Sequence, residues 1–425
     1  MIRNTERKQI IHCNLMTVFF AAAFNPRAAV VLHVPKSCSH IVYNAFWEMA
    51  FKHMQNSPQY ASLYQENMFV TGISDKEAIF GGEKILRQCL LEVIAQRQPE
   101  YVVVTAGCTA SVIGDDVEAI CKEVAKQTGT SIFYIPGSGF MDQTITDGTL
   151  SVTKSLVKGV VFPLAQVKKN PRSIVALGVN AHLSKEYEVA EMTRIFKLFG
   201  FEKIYYPPVG MKKSDLEEMA EAAYITTLGL SPTMIKNTQV YAKEYARTMG
   251  IRDVTVPLVN TAHLYYEWLR TFGQLLGRED LLPQLLQQEE AAYRQYILDH
   301  CQGLQGKRVL LGIGAALRYF EPMETVQLLQ DAGMEVVGVV FLKGLTRVER
   351  QEHEEHFQGR LAVPCWTEDQ LSSLQADAML TTETKECQLP QYAISFRRVG
   401  RAGIENFYQG LVRLIVGQRN LLYEY

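Results

Sequence analysis

PEYVVVTAGCTASVIGDDVEAICKEVAKQT, residues 99–128, passes from a strand pattern to a helix pattern through a single turn. Tyr101 to Val104 form a short apolar run of β-favouring residues, the composition of a buried parallel strand. The chain then turns through Gly107, Cys108 and Thr109 and restarts at Gly114, Asp115 and Asp116, where carboxylates suit the positive end of a helix. Ile113, Val117, Ile120, Cys121 and Val124 recur at three- and four-residue steps, giving that helix one apolar face. Cys108 is therefore expected in the loop at the carboxyl end of a strand, where open α/β sheets hold their ligands. The plainer alternative is a buried structural thiol.

Similar units lie on either side. Val30 to Val34 reads as a strand, Pro35 to His40 as the turn after it, and Ile41 to Phe51 as a helix, so Cys38 also follows a strand. Met68 to Thr71 is a further strand, and Ser74 to Glu77 has capping-box spacing. Phe80-Gly81-Gly82-Glu83 enters a helix whose apolar face is Ile85, Leu86, Cys89, Leu90, Val93 and Ile94, which makes Cys89, like Cys121, a core residue. Ser131 to Pro136 is the next strand, followed by a tight turn at Gly137 to Gly139.

A boundary falls at Lys168 to Pro171, before a strand over Ser173 to Gly178. Helices are expected at Lys185 to Phe199, Asp215 to Ala223 and Leu281 to His300, with strands at Lys203 to Tyr206 and Thr255 to Val259. The stripe Tyr265, Trp268 and Phe272 reads as packing. A third set begins with the strand Val309 to Ile313 and continues with strands at Glu335 to Phe341, Leu361 to Val363 and Ala378 to Thr381. The fold class is α/β with mostly parallel sheets flanked by helices. Three domains are expected: residues 1–168, 169–304 and 305–425, the last with a C-terminal helix packing back.

Composition narrows the function. A chain of 425 residues with 47% hydrophobic and 21% charged residues has the makeup of a globular protein, and a net charge of -2 gives no footprint for nucleic acid. Leu15 to Phe24 is too short to span a bilayer, so no membrane is expected. Eight cysteines without the dense pairing of a secreted scaffold fit a reducing compartment, the cytoplasm. Gly312-Ile313-Gly314 begins a dinucleotide fingerprint, but Leu317 stands where its third glycine belongs. His353 and His356 stand three apart among glutamates, without the order of a metalloprotease helix, and read as a solvated face.

Cys13, Cys38 and Cys108 all lie near expected turns, and soft thiolates gathered at loop ends are what an iron–sulfur cluster needs. A cubane takes four ligands, and a subunit interface is the economical source of the fourth. The Phe80 to Glu83 entry, Cys108 within GCTASVIGDD, the order of the three cysteines and Val399 to Gly403 (VGRAG) resemble the nitrogenase component 1 family. That family includes the dark-operative protochlorophyllide and chlorophyllide reductases.

The resemblance implies three Rossmann-like domains and a dimer with a homologous component 1 subunit, identical or not. It implies an interfacial iron–sulfur cluster, 4Fe-4S or P-cluster-like, held by Cys13, Cys38 and Cys108, with the Ala-rich stretch after Cys13 as a buried helix. It also implies an ATP-dependent iron protein as electron donor and a small-molecule substrate. Two departures stand out: Ser173 to His300 contains no cysteine, and Val399 occupies the family's histidine position. The chain is therefore not expected to hold an iron–molybdenum type cofactor by itself. The expected function is that of a subunit of a nitrogenase-like two-component reductase. The alternatives are a scaffold for metallocluster assembly and a small-molecule binding protein with incidental cysteines. His40, His182 and His263 lie near strand ends, but none is singled out as a proton donor.

Overall fold

Short apolar runs build three sheets, and all the strand pairings in them are parallel. The computed structural model describes residues 14–23, 25, 27–44, 67–137, 148–179, 185–208, 210–228, 232–256, 262–314, 322–357, 360–393 and 399–417.

The first sheet contains β1 (Ala28–His33), β2 (Met68–Val70), β3 (Tyr101–Ala106) and β4 (Ser131–Pro136), in the order β2-β1-β3-β4. β1 and β3 are buried at every residue, as expected of central parallel strands covered on both faces. On one side lies α1 (Asn14–Ala23), the Ala-rich helix, whose Val18, Phe19, Ala21, Ala22 and Ala23 are fully buried. α2 (Asp75–Phe80) and α3 (Glu83–Arg97) join β2 to β3. α4 (Cys108–Ile113) and α5 (Val117–Thr128) join β3 to β4. α6 (Gly148–Leu156) follows and packs on α1. Leu86, Leu90 and Val93 of α3 share a core with Val117, Ile120, Cys121 and Val124 of α5, and Cys89 packs at its edge.

The second sheet has the order β6-β5-β7-β8, from β5 (Asn170–Leu177), β6 (Lys203–Tyr205), β7 (Ala222–Thr227) and β8 (Arg252–Asp253). The helices along this part of the chain are α7 (Lys185–Leu198), α8 (Lys213–Met219) and α9 (Pro232–Met249). After α10 (Ala262–Leu276) and α11 (Leu282–His300), the third sheet runs β11-β10-β9-β12-β13. Its strands are β9 (Arg308–Ile313), β10 (Glu335–Phe341), β11 (Cys365–Thr367), β12 (Ala378–Thr381) and β13 (Gln391–Ala393), with α12 (Pro322–Asp331), α13 (Arg347–Phe357) and the closing α14 (Gly400–Ile415). α14 packs on α10 and α11. The chain forms two compact units, residues 1–185 with 201–255, and 186–200 with 256–425.

Several local expectations shift. The helix after β1 starts at residue 36 rather than 41, so Cys38 lies in its first turn. Cys108 likewise opens the short helix α4 rather than lying in a loop. The Ala-rich start of Ala222–Thr227 suits a helix by propensity, yet pairing with β5 and β8 makes it a strand. Of the strand expected at Thr255 to Val259, residues 257–259 lie outside the described residues; Thr255 itself follows the short β8, and the Asp253 carboxylate accepts its N–H (3.0 Å), a local bond that draws this residue out of the ladder. Leu361 to Val363 is not a strand; pairing with β10 starts after Pro364, whose carbonyl accepts the Val339 N–H (3.0 Å). Among the described residues no helix is long and apolar enough to cross a membrane.

Candidate metal centre

In the first sheet β1 is flanked by β2 on one side and β3 on the other, so the chain order reverses there. A crevice opens outside the carboxyl ends of the strands at such a point. Cys38 lies five residues past His33, and Cys108 two past Ala106, the residues that pair at the ends of β1 and β3. Both thiols are half-buried and free. Burial raises the Cys38 thiol above its ordinary value, a hydrogen bond with Ser37 lowers it, and charge on Cys108 raises it again. The two sulfurs are thus electrostatic neighbours, and a bound cation would relieve the cost of ionising Cys38.

Cys13 lies outside the described residues. Asn14, which follows it, donates from Nδ2 to the carbonyl of Pro136 (3.2 Å), the last residue of β4. The start of α1 is therefore tied to the same carboxyl edge that carries Cys38 and Cys108. Two soft thiols on one crevice, with a chain segment leading from a third cysteine to the same edge, form a donor set suited to iron or another thiophilic metal. Among the described residues no group of three or more His, Cys, Asp or Glu converges as a metal site; Cys38 and Cys108 are the two of the three expected cysteines that the structure describes.

Next to this edge stands a buried polar pair that periodicity and spacing did not single out. His33 ends β1 with its side chain fully buried, Nδ1 2.9 Å from Thr71 Oγ1 and Nε2 2.9 Å from Asp115 Oδ2. A carboxylate only accepts, so Nε2 donates to Asp115 and the Thr71 hydroxyl donates to Nδ1. Burial lowers the imidazole's proton affinity, while the bond and charge of Asp115 raise it. The Gly82 N–H donates to Asp115 Oδ1 (2.8 Å), and the Asp116 N–H to Glu83 Oε1 (3.1 Å). The FGGE and GDD segments are therefore bonded to each other. The signal available in the sequence was a histidine inside an apolar strand, which is costly to bury unless it is paired.

In the other unit the VGRAG segment opens α14. Gly400 has φ +58°, and Glu191 accepts the Ala402 N–H (3.2 Å). Arg194 donates to Glu191 (2.8 Å) and Glu289 (2.7 Å); burial opposes its charge, but these bonds hold it protonated. Val399 is buried in this region, as an apolar residue should be. The Gly-rich turn after β9 is crowded by acid: a Cβ on Gly314 would stand 2.8 Å from Glu383 Oε1, a poor setting for a phosphate. Along α13, Arg350 donates to Glu354 and Gln351 to Glu355, the bonds of a solvated face. Trp268 stacks on Phe272 within the core. His40 faces Asn44 on the exposed helix after β1 (3.1 Å), and His182 lies outside the described residues.

The family described as "Nitrogenase component 1 type Oxidoreductase" matches residues 13–396. The nitrogenase iron-molybdenum cofactor biosynthesis protein NifE of Nostoc sp. is 27% identical over 318 residues, 73% of this chain and 60% of that protein. NifE of Clostridium pasteurianum is 24% identical over 276 residues, 64% of this chain and 57% of that one. The nitrogenase molybdenum-iron protein alpha chain of Methanosarcina barkeri is 21% identical over 314 residues, 72% and 54% of the two chains. The matches thus span little more than half the length of these relatives. The solved structure "Nitrogenase Cp1 at pH 5" superposes with a TM-score of 0.65 at 15% identity, covering 96% of this chain and 88% of that one, a likeness of fold.

Proposed function

The chain belongs to the nitrogenase component 1 type oxidoreductase family, and from that premise we propose that it is a subunit of a nitrogenase-like two-component reductase. In this reading it receives low-potential electrons from an ATP-dependent iron protein through an interfacial iron–sulfur cluster and passes them to a small-molecule substrate or a second metal site. The observation that carries it is the pair of half-buried thiols, Cys38 and Cys108, on the crevice between β1 and β3. Cys13 would be the third ligand, and a homologous subunit across a dimer interface would complete the site. When bound, such a cluster supplies one-electron storage whose potential follows burial and hydrogen bonding.

The chain's own residues support two parts of this. Cys38 lies in the first turn of the helix after β1 and Cys108 opens α4, so both follow directly on the carboxyl ends of neighbouring parallel strands. Beside Cys108, Ile79, Phe80 and Val112 are 74%, 80% and 77% exposed on the adjacent helices α2 and α4. Large apolar side chains this exposed suit a partner surface, and we assign this patch to the iron protein. We place the protein in the cytoplasm, where thiols stay reduced. The division into domains at residues 168 and 304 belongs to the same proposal.

The names of the NifE relatives favour a second reading, a scaffold on which a metallocluster is assembled without turnover. The experiment that separates the two is anaerobic reconstitution with iron and sulfide followed by mixing with an iron protein, ATP and reductant. Repeated ATP-dependent reduction and reoxidation supports the reductase. Iron release to an acceptor protein without turnover supports the scaffold.

A further inference from the structure

His33 meets the helix of Cys108 twice. Its carbonyl accepts the N–H of Gly107, the residue before Cys108 (3.2 Å). Its Nε2 bonds Asp115, two residues beyond the end of α4 (2.9 Å). α4 is therefore held at its start by the backbone of one residue and at its end by the side chain of the same residue. The second oxygen of Asp115 holds the Gly82 N–H, so the entry to α3 depends on this carboxylate too. There is no slack at the junction: a Cβ on Gly82 would stand 2.7 Å from Asp115 Oδ2 and 2.8 Å from His33 Cε1. Gly81 and Gly82 lead directly out of the Ile79–Phe80 end of α2, where both side chains are largely exposed.

An apolar contact could fill this space without burying an imidazole and a carboxylate, groups that are costly to bury unless bonded. Here both imidazole nitrogens and both carboxylate oxygens have partners, and those partners come from β1, the segment after β2, the turn before α3 and the turn after α4. Four chain segments are thereby fixed to one another through directional bonds, which hold position more narrowly than apolar packing does.

We propose that His33 is a positioning residue for Cys108, and that the His33–Asp115–Gly82 bonds couple the turn after Phe80 to that cysteine. The meaning of the coupling for electron transfer rests on the ligand role proposed above for Cys108; the coupling itself does not. Disturbing Gly82 on this basis changes the accessibility of a thiol on a different helix.

The test is the alkylation rate of each cysteine by iodoacetamide in the full-length chain, freed of iron by chelation and read by peptide mass spectrometry. Wild type is compared with His33→Leu, Gly82→Ala and the double variant. Loss of the imidazole leaves Asp115 short of a partner, so α4 opens more often and Cys108 should react on the order of tenfold faster. Gly82→Ala should give a similar rise, and the double variant no more than the larger of the two, as expected of one shared linkage. His33→Gln keeps a donor for Asp115 and an acceptor for Thr71, and should return the rate towards wild type. Thr71→Val replaces His33→Leu should that variant not fold. Cys121, buried in the same unit, is the reference. An unchanged Cys108 rate, an equal rise at Cys121, or an additive double variant overturns the coupling. Iron uptake is measured on the same proteins after reconstitution: an intact alkylation pattern with no iron bound by any of them defeats the cluster proposal and leaves the coupling standing.

Discussion

Burial and Asp115 pull the His33 imidazole in opposite directions, and burial prevails, so it holds its proton less readily than at the ordinary value of 6.5. Asp115 is the charged group that faces it. Below that value the unfolded chain takes up a proton that the folded chain resists. The stability contributed is therefore present above about pH 6.5 and is lost as pH falls towards the folded value. Thermal melting at about pH 7.5 and about pH 5.5 should show a larger drop for wild type than for His33→Gln; equal drops would remove His33 as the source. Cys38 carries a related cost, since burial and its neighbour Cys108 both oppose its ionisation. Metal binding should thus release protons and weaken as pH falls, which a titration of iron uptake against pH can read.

At the scale of elements, α14 depends on how its first turn is seated. Gly400 is in the left-handed region, and a Cβ there would drive into the Glu191 carboxylate. Gly400→Ala should destabilise the unit containing α14 by about 2–3 kcal/mol, seen as a lower urea midpoint. An unshifted midpoint would mean that this junction is slack. The elements also show what a sequence can disclose. β1 and β3 were legible as apolar runs and α5 as an amphipathic face, because burial on both sides or on one side writes itself into periodicity. α4 was hidden: six residues with Cys, Thr and Ser carry little helical signal, and its shape depends on the bonds from the Gly107 N–H to His33 and from the Gly82 N–H to Asp115. β7 was hidden for a related reason, since AAYITT becomes a strand only through its neighbours β5 and β8. For the candidate site, what was legible is that Cys38 and Cys108 follow strands, not the helical turns that hold them. His33 was not, because its partners lie 38 and 82 residues away.

At the scale of the whole molecule, three parallel sheets in one chain belong to the family, and what the chain does with them depends on partners. Phe80→Asp should lower the rate of reduction by an iron protein at least about tenfold while leaving iron content unchanged. An unaltered rate would place the docking surface elsewhere. The 168 and 304 boundaries can be examined by limited proteolysis of the intact chain, with fragments near those positions expected. The ligand role of Cys108 is tested most directly by iron and acid-labile sulfide content after strictly anaerobic purification, with EPR at poised potentials, on wild type and Cys108→Ala. About four or more irons per pair of chains in wild type, with their loss or an altered signal in the variant, is the expected result. Equal iron in both proteins, or none in either while the chains remain folded and paired, would contradict it.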